Sequence, residues 1–210
     1  MLERIHWLGH DAIRIDGPRT IYFDPYQLDE LQPPADVILI SHEHHDHCSP
    51  EDVAKIQTET TTIVTVASAA EELTGDIRVI EPGDTMHLPG VDVEAVPAYN
   101  VDKFRSPGEP FHPKQAGHVG FVITVDGKRI YHAGDTDFIP EMAQLRDIDI
   151  ALLPVSGIYV MTAEEAVEAA EVIQAEVAIP MHVGRGIGSM DSAHLFKEQT
   201  AVNVVILDVE

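Results

Sequence analysis

Four of the chain's 12 histidines fall within six residues, His42-Glu43-His44-His45-Asp46-His47. Imidazoles and carboxylates at that density suit Zn²⁺ and related first-row ions, and hydrolysis requires one ligand position to stay open. A plain solvated turn would not concentrate four histidines and two acids in this way. The cluster directly follows Val37-Ile38-Leu39-Ile40, a continuous apolar run that reads as a buried strand. A loop at the end of such a strand can aim His42 and His44 at one point and turn Asp46 and His47 toward a neighbouring one. Two further donors stand later in the chain. Asp135 lies in Gly134-Asp135-Thr136, which by itself is more often a cap or turn. His182 follows Ile179-Pro180-Met181 and precedes a glycine-rich loop, Gly184 to Gly188, so it stands at a strand end that faces a pocket. No serine or cysteine is arranged as a separate nucleophile.

The elements that must position these residues are short. Strands are expected at Ile5 to Ile15 and Thr20 to Phe23, separated by Asp16-Gly17-Pro18. Ser49, Pro50 and two acids open a helix running to about Gln57. Thr61 to Val66 reads as a strand, and Ser68 as the cap of a short helix ending at Gly75. Ile77 to Val96 reads as β-structure broken at Pro82-Gly83-Asp84 and Pro89-Gly90. Tyr99 to Gly117 shows little periodicity and is a loop of functional length. His118 to Val125 and Lys128 to His132 flank Asp126-Gly127, a hairpin signal. Ile148 to Leu153 and Val177 to Met181 are strands, with a helix from Ala163 to about Gln174 capped by Thr162 between them. Ser192 is expected to cap a last helix, and Val202 to Val209 to close as a strand. The pattern supports a mixed α/β chain forming a single domain over residues 1–210.

Composition narrows the function classes. The chain has 210 residues, 44% of them hydrophobic, and no apolar stretch long enough to span a bilayer. Its start, Met1-Leu2-Glu3-Arg4, passes straight into a strand pattern with no signal peptide visible. A lone cysteine, Cys48, excludes an internal disulfide and fits a cytoplasmic location. Thirty-six acids against 13 bases give a formal charge of −23. Such a surface repels phosphate backbones, so a small-molecule substrate is expected rather than a nucleic acid, and no membrane partner; a homo-oligomer is compatible. With five lysines only, the acidic surface also reads as adaptation to a salty cytoplasm.

Ser41-His42-Glu43-His44-His45-Asp46-His47 resembles the H-x-H-x-D-H signature of the metallo-β-lactamase superfamily. Phe23-Asp24-Pro25 is similar to its early aspartate motif, and Tyr131-His132-Ala133-Gly134-Asp135-Thr136 to the segment that carries a bridging aspartate. Ile179-Pro180-Met181-His182 is similar to the strand that delivers the last histidine. Trp7-Leu8-Gly9-His10 resembles the opening strand of the branch that includes ascorbate-6-phosphate lactonase. The resemblance covers nearly the whole chain and implies a four-layer αββα sandwich with two divalent metal ions, Zn²⁺ first, with Mn²⁺ and Fe²⁺ as alternatives. Carried over, it implies that His42 and His44 bind the first metal. Asp46, His47 and His182 bind the second, and Asp135 bridges the two. Asp24 is expected to fix a ligand histidine's tautomer, while His45 points away and Cys48 is a buried residue at a helix start.

One position departs from the superfamily. A third histidine for the first metal is usual in mid-chain, and the equivalent segment here, Val96-Pro97-Ala98-Tyr99-Asn100, ends in asparagine. His112 on the following loop is the expected replacement, ahead of His118. The implied chemistry is hydrolysis by a metal-bound hydroxide of an ester, lactone or phosphodiester in a small metabolite, with Asp46 also orienting the nucleophile. A metal-dependent nuclease and a non-catalytic metal-binding protein that kept the fold are the alternatives.

Overall fold

A computed structural model describes residues 1–210. The chain divides into two compact units, Met1–Glu81 with Leu207–Glu210, and Pro82–Ile206.

The first unit is built on a six-stranded sheet. β1 (Ile5–Gly9) and β2 (Ala12–Ile15) form a hairpin, followed by β3 (Ile21–Phe23), β4 (Val37–Ile40), β5 (Thr62–Thr65) and β6 (Asp76–Val79), and the spatial order is the chain order. The first three strands pair antiparallel, whereas β3 through β6 run parallel. Parallel strands carry cover on both faces, and β4 is buried at all four residues. The expected single strand from Ile5 to Ile15 is therefore two. Gly9 and His10 both take positive φ (101° and 53°), which reverses the chain at His10-Asp11. α1 (Pro50–Ile56) has the anticipated start: Ser49 caps it by accepting from the Asp52 amide, and Pro50 opens the first turn. α2 (Ala67–Ala70) corrects a second expectation, because Ser68 lies inside it, and the cap position is Val66 without a side-chain bond. The Ser68 hydroxyl is turned to Glu43 instead, 2.8 Å away.

The second unit has its own six-stranded sheet. β7 (Thr85–Leu88) and β8 (Val91–Pro97) lead through the small hairpin β9 (Phe104–Ser106) and β10 (Glu109–Pro110) to β11 (Val119–Val125), β12 (Lys128–His132), β13 (Ile150–Pro154) and β14 (Val177–Met181). The order is β14-β13-β12-β11-β8-β7, with β12, β13 and β14 parallel and the other neighbours antiparallel. The Tyr99-to-Gly117 segment thus carries a hairpin and a 3₁₀ turn (Lys114–Ala116) that its weak periodicity did not announce. α3 (Ala163–Ile173) begins in a full capping box between Thr162 and Glu165 and buries Ala163, Ala166, Ala169, Ala170 and Ile173. It packs against β13 and against α4 (Met190–Gln199). α4 starts three residues earlier than expected, capped by Ser189 rather than Ser192. The segment after α4 is no strand. Val204 makes a single bridge to Ala178 and Val209 a single bridge to Trp7, so the stretch is shared between two sheets and forms a ladder with neither.

Candidate metal centre

The loop that leaves β4 holds the first group of candidate ligands. His47 and Cys48 donate their backbone N–H to the His44 carbonyl (2.9 and 2.8 Å), which folds the histidine cluster into a tight turn. His42 and His47 are fully buried, and His44 is half-buried. His45 points outward, its side chain 86% exposed.

One carboxylate organises this group. Asp24 Oδ2 accepts from the Ser41 hydroxyl at 2.7 Å and stands 2.9 Å from His47 Nδ1, while Oδ1 accepts from the Ser41 backbone N–H. Because the Ser41 hydroxyl donates to Asp24, it is free to accept from His42 Nδ1, 2.9 Å away. Both imidazoles therefore carry their proton on Nδ1 and present Nε2 as a lone pair, the tautomer a metal requires. His42 Nε2 lies 3.1 Å from His44 Nδ1. Two nitrogens at about 2.0–2.1 Å from one tetrahedral Zn²⁺ stand roughly 3.3–3.4 Å apart, so this spacing is close to one edge of such a site. Asp46 Oδ2 lies 3.3 Å from Nε2 of His10. His10 is buried, its carbonyl accepts from the Trp7 indole N–H, and its ring packs on those of Tyr26 and His47. Asp11, also buried, brings a carboxylate oxygen to 3.7 Å from His47 Nδ1.

Cys48 does not join the donors. Burial pushes its thiol up to about 12, and the carboxylates of Glu72, Asp24 and Glu43 add to that.

The second group lies in the second unit and centres on Asp135. This residue follows β12 by three positions, after the left-handed Gly134, and is buried. Its two oxygens diverge: Oδ2 is 3.2 Å from His112 Nε2, and Oδ1 is 3.3 Å from His182 Nε2. Both histidines are buried and, as in the first group, each has Nδ1 tied elsewhere. His182 Nδ1 is 2.9 Å from the Ser156 hydroxyl just beyond β13, and His112 Nδ1 is 2.9 Å from Asn100 Oδ1. His182 itself closes β14 with φ +58°.

Of the two loop histidines weighed for the first metal, His112 is the one that meets Asp135. His118 packs beside it at 5.7 Å between ring centroids. Asn100 faces His112 and not Asp135. Sequence reasoning missed Ser41, Asn100 and Ser156 as holders of the rings; the one available signal was a hydroxyl or amide placed next to a candidate ligand or a strand end. In the Gly157-to-Met161 segment, Val160 and Met161 are core residues. Tyr159 is exposed, with its ring 4.6 Å from that of Phe111.

The donor set fits divalent metal ions. It offers buried imidazole nitrogens with fixed tautomers and carboxylates at about ligand-edge spacing, with no thiolate. The comparisons with known proteins agree. A model of the beta-lactamase superfamily domain matches residues 4–182. The chain belongs to the metallo-β-lactamase superfamily. Among curated relatives, a UPF0173 metal-dependent hydrolase of Methanoculleus marisnigri is 35% identical over 184 residues, covering 85% of this chain and 80% of that one. A solved structure described as a metal-dependent hydrolase from Parabacteroides distasonis is 33% identical, with a TM-score of 0.84, covering 98% of this chain and 93% of that one. A solved structure from Thermotoga maritima, described as a Zn-dependent hydrolase, shares the fold at 23% identity and a TM-score of 0.64 over 98% of both chains. This member of the metallo-β-lactamase superfamily is a metal-dependent hydrolase. No helix is long and apolar enough to cross a membrane.

Proposed function

We propose that the chain is a binuclear hydrolase of small esters, lactones or phosphodiesters. In this reading His42, His44 and His112 would hold the first ion and Asp46, His47 and His182 the second, and Asp135 would serve both, as the resemblance implies. The observation that carries it is the divergence of the Asp135 oxygens toward His112 and His182. A carboxylate serving one ion has no need to face two histidines on opposite oxygens.

Divalent ions in such a pair supply an acidified water and positive charge for a developing oxyanion. The chain's own residues set the rest. Asp46, steadied by His10, can accept a hydrogen bond from the attacking water and aim it. Asp24, Ser41, Ser156 and Asn100 keep the four buried imidazoles from rotating. Zn²⁺ suits the nitrogen-rich set, with Mn²⁺ or Fe²⁺ as alternatives.

The charge of −23 supports a small substrate over a polynucleotide. The opening Trp7-Leu8-Gly9-His10 supports the branch that resembles ascorbate-6-phosphate lactonase. A single buried cysteine fits a reducing cytoplasm. The test is metal content by elemental analysis, together with turnover on a panel of esters, lactones and phosphodiesters. Two ions per native chain falling to about one in His112→Ala supports the reading. An unchanged count in the variant removes His112 from the site.

A further inference from the structure

We infer that Asn100 and Asp137 are positioning residues that make His112 a metal ligand, so that the asparagine at the superfamily's usual histidine position directs an imidazole from another part of the loop. The inference rests on the ligand assignment for His112 proposed above.

Asn100 is buried, and all four hydrogen-bonding valences of its amide are used. The Nδ2 group donates to Asp137 Oδ1 at 2.9 Å and to the Tyr159 carbonyl at 2.7 Å. Both partners only accept, so the amide cannot be flipped, and the oxygen must face the other way. There Oδ1 accepts from the His112 backbone N–H at 2.8 Å and stands 2.9 Å from His112 Nδ1. An oxygen acceptor at that position requires Nδ1 to carry the proton. Nε2 is then the lone-pair nitrogen, and it is the atom that lies 3.2 Å from Asp135. The Asn100 N–H donates back to the His112 carbonyl at 2.8 Å, which locks the two residues in register.

Asp137 fixes the amide. It is fully buried, and its second oxygen accepts from the Val101 and Asp102 backbone N–H groups at 2.7 and 2.9 Å. Lys103 Nζ stands 3.6 Å from Asp137 Oδ1. Burial works against the Lys103 charge, but hydrogen bonds to Asp102 and Glu165 outweigh it and raise its pKa. The carboxylate therefore has a cation beside it and no freedom to turn. At position 100, aspartate would set a carboxylate against Asp137 and the Tyr159 carbonyl, and alanine would leave Nδ1 of His112 free to change tautomer.

The experiment is Zn²⁺ affinity by chelator competition for native protein, Asn100→Ala, His112→Ala and the double variant, with thermal unfolding as a check on folding. Asn100→Ala is expected to weaken the first ion about 10–100-fold, the usual effect of removing such a partner. On the His112→Ala background the same change is expected to do nothing, because Asn100 acts through that ring. Nitrogen-15 NMR of the metal-free protein is expected to show His112 as the Nδ1–H tautomer in native protein and as a mixture in Asn100→Ala. Should Asn100→Ala fail to fold, Asp137→Asn reads the same device, with a smaller loss of affinity. Native affinity and tautomer in a folded Asn100 or Asp137 variant would overturn the inference. If His112→Ala itself leaves Zn²⁺ binding unchanged, the ligand assignment fails instead, and the two failures are told apart.

Discussion

Nδ1 of His47 stands 2.9 Å from Asp24 Oδ2, the same oxygen that accepts the Ser41 hydroxyl. One buried carboxylate thereby orients two imidazoles, His47 directly and His42 through Ser41. Asp24→Asn is a clean probe, because asparagine tolerates the positive φ of 41° found at this position. The expected outcome is a loss of metal affinity of about 10–100-fold with the fold retained. Under the proposed binuclear reading, Ser41→Ala should by contrast affect only the ion that His42 would serve. Equal losses in both variants for both ions would show that the shared oxygen is not what divides the roles.

Gly120 in β11 offers a test of how the second group is held. A Cβ there would stand 2.6 Å from the Ala133 carbonyl oxygen and 2.8 Å from that of His132. Both contacts are backbone, so β11 and the end of β12 must move apart. Gly120→Ala is expected to cost about 1–3 kcal/mol in unfolding experiments on metal-free protein. Since Ala133 and Gly134 lead directly into Asp135, metal content should fall as well. A variant that loses stability but keeps its metal would place the movement elsewhere.

Asp52 gives a pH prediction. Burial would raise its pKa, but hydrogen bonds from Ser49, Lys55 and the Leu28 and Gln27 amides outweigh burial and hold it below the usual aspartate value. A depressed folded-state pKa contributes stability that is complete above the unfolded value of about 3.9 and is lost as pH falls through the folded one. Asp52→Ala leaves the Gln27 and Leu28 amides without their acceptor, a loss of about 1–3 kcal/mol. Urea unfolding should show a constant gap between native and variant from pH 5 to 8, narrowing only below about pH 4. A gap that closes near neutrality would contradict the assignment.

Salt supplies a fourth prediction. With 36 acids against 13 bases, self-repulsion destabilises the compact state at low ionic strength. Screening should raise Tm as KCl increases from low millimolar to molar. Identical melting curves across that range would remove the idea of adaptation to a salty interior.

Much of this was legible in the chain itself, and the reasons differ by residue. The β4 strand and the histidine turn were readable because an apolar run and a dense donor cluster are both local signals. The Thr162 and Ser49 caps were readable for the same reason, since capping is a matter of three or four neighbouring residues. The His10-Asp11 turn was not, because only the left-handed backbone at Gly9 and His10 divides an otherwise unbroken strand pattern. Val202 to Val209 misled in the opposite way: its valines carry strand propensity, yet single bridges to Ala178 and Trp7 divide it. His112 was the expected replacement ahead of His118, but its approach to Asp135 is fixed by hydrogen bonds to Asn100 that no periodicity encodes. Asn100 was visible as a poor ligand. Its other partners, Asp137 and the Tyr159 carbonyl, lie 37 and 59 residues away, and no local pattern announces them.

His182, directly after β14, holds its backbone in the left-handed region with φ +58°. A histidine in that conformation costs about 1–2 kcal/mol relative to glycine, which adopts it freely. Replacing it by glycine should therefore give a chain whose backbone is relaxed at this point, with a cleft the size of an imidazole opposite Ser156 and Asp135. Free imidazole in solution is the natural occupant of that cleft. Metal retention restored by millimolar imidazole in His182→Gly, and not in His182→Leu, would turn a backbone constraint into a chemical handle on the site.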